Sequence, residues 1–147
     1  MTRRLDLGPQ PVHGSEAMAA LGARLALQLR AGDVLALVGD LGAGKTTLVR
    51  GLCAALGVPE DAVASPTFAL CNVYVSHDLQ IAHMDLYRLE SPDDLAAAGL
   101  DEWLGAPDAL CVIEWPEVAR RDLPRETLWL HIAMVPDGRL VEQTHLT

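Results

Sequence analysis

Gly39-Asp40-Leu41-Gly42-Ala43-Gly44-Lys45-Thr46 fits the pattern G-x-x-x-x-G-K-[ST] without a gap. Residues of these types at this spacing can wrap a polyphosphate. Glycines permit the backbone angles that turn successive N–H groups inward, and they let an anion approach the chain closely. Lys45 would reach the β and γ oxygens of a nucleoside triphosphate as a point charge, and the Thr46 hydroxyl would ligate Mg²⁺. Such a cradle needs a strand before it and, behind it, a helix that aims its positive dipole end at the phosphates. The flanks supply both. Residues 34–38 read as a short, buried, aliphatic strand, and Leu48, Val49, Leu52, Ala55 and Leu56 recur at helical spacing before Gly57 stops the helix.

The basic residues carry a second argument. Ten of the eleven are arginine, and the one lysine is Lys45. A planar guanidinium cannot enter a narrow phosphate nest that a slim ammonium can, so arginine is not a substitute there.

A phosphate loop needs a carboxylate partner, because Mg²⁺ keeps several waters and is otherwise held by phosphates and Thr46. In open α/β sheets, ligands sit at the carboxyl ends of strands. Two acids occupy such places. Glu114 follows the strong strand pattern Leu110-Cys111-Val112-Ile113 and is the first choice on pattern. Asp85 follows the shorter run Ile81-Ala82-His83-Met84. Either could instead be a strand-end cap or a surface ion pair. His83 reads as a packed or hydrogen-bonded strand residue rather than a metal ligand. Ser65 and Thr67 lie in a proline-stiffened loop, where a hydroxyl senses a γ-phosphate or serves turn chemistry alone. Arg88 is a phosphate contact or an ion-pair member. Trp115 covers the site or supplies buried bulk.

The elements that must position these residues follow in order. Residues 1–12 suggest a short strand or arm around Arg3-Arg4-Leu5-Asp6-Leu7, broken by Pro9 and Pro11. Ser15 reads as the N-cap of an amphipathic helix with Leu21, Leu25 and Leu29 on one face. Residues 68–75 and 79–84 suggest a hairpin turning at Ser76-His77-Asp78, so the sheet is expected to be mixed. Ser91-Pro92-Asp93-Asp94 starts a helix, and residues 96–103 continue it with an interruption at Gly99. Residues 109–113 form a second buried strand. Residues 127–135 and 139–146 flank Pro136-Asp137-Gly138 as a closing hairpin.

At 147 residues, with no repeats or low-complexity linkers, the chain is expected to form one P-loop domain over 1–147. Half of it is hydrophobic but only 4% aromatic, so its core must be aliphatic. Cys53, Cys71 and Cys111 are odd in number and far apart, as expected of reduced cysteines in a cytoplasm. No apolar run approaches about 18 residues and no leader pattern opens the chain, so neither a membrane span nor export is expected. A net charge of −9 argues against this chain gripping a nucleic-acid backbone by itself.

Taken together, Gly39-Asp40-Leu41-Gly42-Ala43-Gly44-Lys45-Thr46-Thr47, Ser65-Pro66-Thr67-Phe68, His83-Met84-Asp85-Leu86-Tyr87-Arg88-Leu89 and Ile113-Glu114-Trp115-Pro116-Glu117 resemble the TsaE (YjeE) ATPases in order and spacing. The resemblance runs from about Ser15 to Gly138-Arg139. The phosphate loop alone is generic; the other blocks together are specific. The resemblance implies a P-loop NTPase-like three-layer α/β sandwich with a mixed parallel and antiparallel sheet. It also implies a role in threonylcarbamoyladenosine modification of tRNA, with ATP binding and hydrolysis keeping a TsaD–TsaB-like complex turning over and tRNA met only through those partners. By the same resemblance Thr46 and Glu114 would serve Mg²⁺, and Asp85 would act at the nucleotide and its attacking water. Ser15 and Arg139 would complete the ATP pocket, and Thr67 would belong to a switch-like loop. One departure concerns the pocket wall near Ser15, where the family often carries a threonine and this chain has Met18.

Three other classes stand beside this reading: a GTPase, a small-molecule kinase and a non-hydrolysing nucleotide-gated binding module, whose regulated docking looks like weak catalysis in sequence. Guanine recognition in GTPases needs an Asn-Lys-x-Asp segment, and the only lysine is already in the phosphate loop. A small-molecule kinase would need a lid with phosphate-clamping arginines. Arg120, Arg121 and Arg125 can be read as one, but they lie beside Pro116 and Pro124 in a short connection.

Overall fold

The computed structural model describes residues 5, 7–66, 68–77 and 79–144. Its strands are β1 (Gln10–Val12), β2 (Val34–Gly39), β3 (Cys71–Ser76), β4 (Leu79–Asp85), β5 (Ala109–Glu114), β6 (Leu128–Val135) and β7 (Gly138–Thr144). Its α-helices are α1 (Ser15–Ala26), α2 (Lys45–Ala55) and the short α3 (Asp93–Ala97). The strands form one sheet in the order β1-β7-β6-β2-β5-β4-β3. The central four, β6, β2, β5 and β4, run parallel, whereas β3, β7 and β1 join antiparallel. The expected mixed sheet and both hairpins are therefore present.

Alternation along the central strands makes three layers. Leu35 and Leu37 of β2 face a cluster with Leu21 and Leu25 of α1 and Leu48, Val49 and Leu52 of α2. Val34 and Ala36 face the opposite way, toward Leu95, Leu100 and Trp129. A strand buried on both faces must read as a continuous apolar run, and β2 and β5 do. In β5 all six residues are buried, and Glu114 is the one charged side chain among them.

Helices α1 and α2 cross closely because two glycines face the contact. A Cβ on Gly22 would run into the Leu48 carbonyl, and one on Gly51 into the Ala19 carbonyl. This close approach sets how far α2, and the loop it grows from, stand from the sheet.

Three expectations change. Of the proposed N-terminal strand, Arg3, Arg4 and Asp6 lie outside the described residues; the strand observed is Gln10–Val12, with Pro11 inside it. Proline is tolerated because β1 is an edge strand paired only with β7. Ser15 does not cap α1. Gly14 does, at φ 86°, with no side-chain cap, and its carbonyl accepts from the Met18 N–H at 3.2 Å. The positive φ at Gly14, which glycine accepts readily, starts the helix. The first hairpin strand begins at Cys71 rather than residue 68, after Leu70 adopts a positive φ of 66°. The expected interruption at Gly99 is present, with φ 75° between α3 and a 3₁₀ turn at Leu100–Trp103.

All three cysteines are free. Burial pushes the Cys53 thiol up to about 12 and the Cys71 thiol up to about 11, and raises Cys111 further in the same direction. Raised values leave almost no thiolate at pH 8, so all three should react with iodoacetamide far more slowly in the native protein than in urea. Mass spectrometry showing rapid native labelling of Cys53 or Cys111 would contradict this packing. Gly51→Ala should destabilise the fold by about 1–3 kcal/mol, since an added methylene in a tight contact forces backbone shifts. Urea denaturation measures it, and unchanged stability would mean the helices do not approach as described.

Candidate active site

The parallel register gathers the chemistry at one edge. β2 ends at Gly39 and leads into the loop; β5 ends at Glu114 and β4 at Asp85, which are direct neighbours across the β4–β5 pair. Leu37 of β2 pairs with Glu114. The loop and both acids thus stand at the carboxyl ends of adjacent strands, where open sheets bind ligands.

The loop is shaped from within and braced from outside. Gly42 and Gly44 adopt φ values of 82° and 108°, which other residues rarely accept. The Ala43 N–H closes a turn on the Asp40 carbonyl at 3.0 Å, and the Leu48 N–H bonds the Gly44 carbonyl at 3.0 Å as α2 begins. Arg139 of β7 donates through Nε to the Ala43 carbonyl at 3.2 Å and through Nη2 to the Gly42 carbonyl at 3.1 Å. A guanidinium bound to these carbonyls holds them turned toward β7. Leu41 stands 83% exposed at the loop's tip.

Lys45 is buried, donates to the Gly39 carbonyl, and has its ammonium 3.4 Å from the centre of the Trp115 ring. Burial lowers its pKa; Glu114, Glu117, Asp85 and Asp40 oppose that shift. Trp115 has a left-handed φ of 55° and lies against Tyr87 with ring centres 4.9 Å apart. The tryptophan therefore covers the lysine as well as filling space.

The structure separates the two acids. The Thr46 hydroxyl lies 3.0 Å from both carboxylate oxygens of Glu114. Asp85 accepts from the Tyr87 N–H at 2.9 Å, and its other oxygen lies 3.5 Å from the Ser65 hydroxyl. Glu114, Asp85, Lys45, Thr46, Thr47 and Ser65 line one cleft together with Gly42, Gly44, Tyr87 and Trp115. A second cleft on the other side of the loop is lined by Gly14, Ser15, Met18, Thr47, Arg139 and the loop residues Gly42, Ala43 and Gly44. Met18 is buried against Gly44 and forms part of that wall. Thr67 lies outside the described residues. Arg88 stands over the Phe68 ring at 5.3 Å and Arg120 over Trp129 at 5.4 Å.

The donor set suits a hard cation held jointly with phosphate. One hydroxyl and one carboxylate converge at the start of α2, and Mg²⁺ takes few protein ligands, keeping waters and phosphate oxygens. Among the described residues, no group of three or more His, Cys, Asp or Glu is arranged to hold a metal by itself.

Sequence reasoning did not foresee the partner of His83. Its Nε2 lies 2.5 Å from Oε2 of Glu114 and its Nδ1 3.2 Å from the Tyr74 hydroxyl. Period-2 alternation offered a signal, since residues 83 and 85 share one strand face. Among the described residues, no helix is long and apolar enough to cross a membrane.

Comparison with known proteins places this geometry. A family model described as "Threonylcarbamoyl adenosine biosynthesis protein TsaE" matches residues 12–141. The chain is similar to the tRNA threonylcarbamoyladenosine biosynthesis protein TsaE of Streptomyces coelicolor, with 42% identity over 133 residues, 88% of each chain. The Bacillus subtilis protein of the same name is 40% identical over 123 residues, covering 84% of this chain and 73% of that one. The crystal structure of Bacillus subtilis YdiB superposes with a TM-score of 0.76 at 30% identity, over 100% of this chain and 88% of the other. With a matching loop–strand architecture and a family match across nearly all of its length, the chain belongs to the TsaE family of tRNA threonylcarbamoyladenosine biosynthesis proteins.

Proposed function

We propose that this protein binds ATP with Mg²⁺ and hydrolyses it, and that it does so as an accessory to a TsaD–TsaB-like complex which itself holds the tRNA. The observation that carries the reading is the Thr46 hydroxyl set 3.0 Å from both oxygens of Glu114, beside a complete phosphate loop. Residues 40–45 would turn their N–H groups to the phosphates while Arg139 holds the Gly42 and Ala43 carbonyls away. Lys45 would exchange the Gly39 carbonyl for phosphate oxygens. Thr46 and Glu114 would hold Mg²⁺, which when bound offsets the charge of the β and γ oxygens. Asp85 would orient the attacking water and accept its proton, with Ser65 beside it.

Electrostatics supports a metal-linked nucleotide. Four carboxylates, those of Asp40, Asp85, Glu114 and Glu117, act on the single Lys45 ammonium. A polyphosphate entering alone would add negative charge beside these carboxylates, which favours entry together with a divalent cation. The overall charge of −9 fits a chain that reaches tRNA through partners.

Lys45→Ala should weaken ATP binding by about 10–150-fold, the loss of a charged hydrogen bond worth about 1.5–3 kcal/mol. Calorimetry showing wild-type affinity would remove the phosphate-loop assignment. Asp85→Asn should slow hydrolysis by about 100–10,000-fold with ATP affinity retained. Turnover at the wild-type rate in the presence of the TsaD–TsaB complex and tRNA would exclude Asp85 as the base. Adding that complex and tRNA should raise the ATPase rate of the native protein, whereas an unchanged rate would count against the accessory role.

A further inference from the structure

Buried polar side chains need partners in an apolar layer. Ser76 and Thr127 find theirs in nearby carbonyls, at Leu56 and Pro124. His83 is different. It is fully buried on the face of β4 that carries Ile81 and is covered by α2, and its partners are side chains on both sides, Glu114 and Tyr74. A strand residue needed only for packing would be aliphatic here, as Ile81 is.

The hydrogen-bond inventory gives the chain a direction from its carboxylate end. An ionised carboxylate only accepts. Glu114 lies against Thr46 through both oxygens, and Oε2 is also 2.5 Å from Nε2 of His83, so Nε2 carries the hydrogen. A neutral imidazole protonated at Nε2 accepts at Nδ1, where the Tyr74 hydroxyl stands at 3.2 Å, nearer than the Ala64 carbonyl that competes for its hydrogen at 3.4 Å. Tyr74 is buried, is not among the residues lining the cleft, and holds the ring at the nitrogen opposite the one that meets Glu114. We propose that His83 is a positioning residue: its Nε2–H pins the Glu114 carboxylate toward Thr46, and Tyr74 selects the tautomer that makes this donation available. The inference rests on the proposed Mg²⁺ role of Glu114. It adds that two residues remote from the nucleotide set the affinity of that site for a divalent cation.

Partners that orient a metal-binding side chain are worth about 10–100-fold in metal affinity. Mn²⁺ bound in the presence of saturating ADP, read by electron paramagnetic resonance on the full chain, is the probe. His83→Leu should raise the Mn²⁺ Kd by about 10–100-fold while ADP affinity in EDTA stays at the wild-type value. A purely structural role would lower the melting temperature without this split. His83→Gln, whose amide can donate to Glu114, should recover part of the loss. Tyr74→Phe should weaken Mn²⁺ less than His83→Leu, and the double variant should be no worse than His83→Leu alone, because both act through one contact.

A folded His83→Leu protein with wild-type Mn²⁺ affinity overturns the proposal. If that variant does not fold, wild-type affinity in Tyr74→Phe overturns it instead. ¹⁵N NMR of the metal-free protein should show His83 protonated at Nε2, and the Nδ1–H tautomer would equally refute it. Glu114→Gln separates the two readings. Unchanged Mn²⁺ binding there removes the metal role of Glu114 and this inference with it. Weakened binding in Glu114→Gln alongside none in His83→Leu removes only the positioning role.

Discussion

Glu114 is a carboxylate with 3% exposure at the end of a strand whose other residues are all buried and apolar. Burying such a group is costly unless its oxygens are bonded. Its partners come from elements far apart in sequence: Thr46 from the first turn of α2 and His83 from β4. The position of α2 over the sheet, the β4–β5 register and the exit of β2 into the loop are therefore not independent features. Each must be right for this one side chain to be tolerated where it is.

The helix crossing belongs to the same constraint. Gly22 and Gly51 let α1 and α2 approach until side chains would collide with backbone carbonyls. That contact sets the depth of α2, and Lys45 and Thr46 are its first residues. From the opposite side Arg139 ties the Gly42 and Ala43 carbonyls to β7. The loop is thus held between a helix packed from behind and a strand bracing it in front. A loop braced in this way would lose less entropy on binding a ligand than a mobile one.

Much of the framework was legible from local pattern. The aliphatic run of β2, the loop spacing and the helical recurrence of Leu48, Val49 and Leu52 located the strand–loop–helix unit. Pro136-Asp137-Gly138 located the closing hairpin, and Gly99 the break in the helical stretch before β5. Failures came where the deciding term was not local. Ser15 resembles a helix cap, but Gly14, at a positive φ, starts the helix. Pro11 reads as a strand breaker, yet an edge position leaves its missing N–H without consequence.

For the candidate site, sequence determined which residue types were available and that Asp85 and Glu114 end strands, because strand ends and loop spacing are set by neighbours within a few positions. Pattern favoured Glu114 over Asp85 without showing which of them meets Thr46. Tertiary structure decided that in favour of Glu114, through a contact spanning 68 positions, and set His83 against Glu114 across 31. It likewise turned Arg139 onto the loop from 96 positions away and laid Trp115 over Lys45. The physical reason is one of range. Periodicity and turn chemistry act over a few residues, whereas the partner of a buried polar group depends on strand order, register and helix depth, which exist only once the sheet has closed.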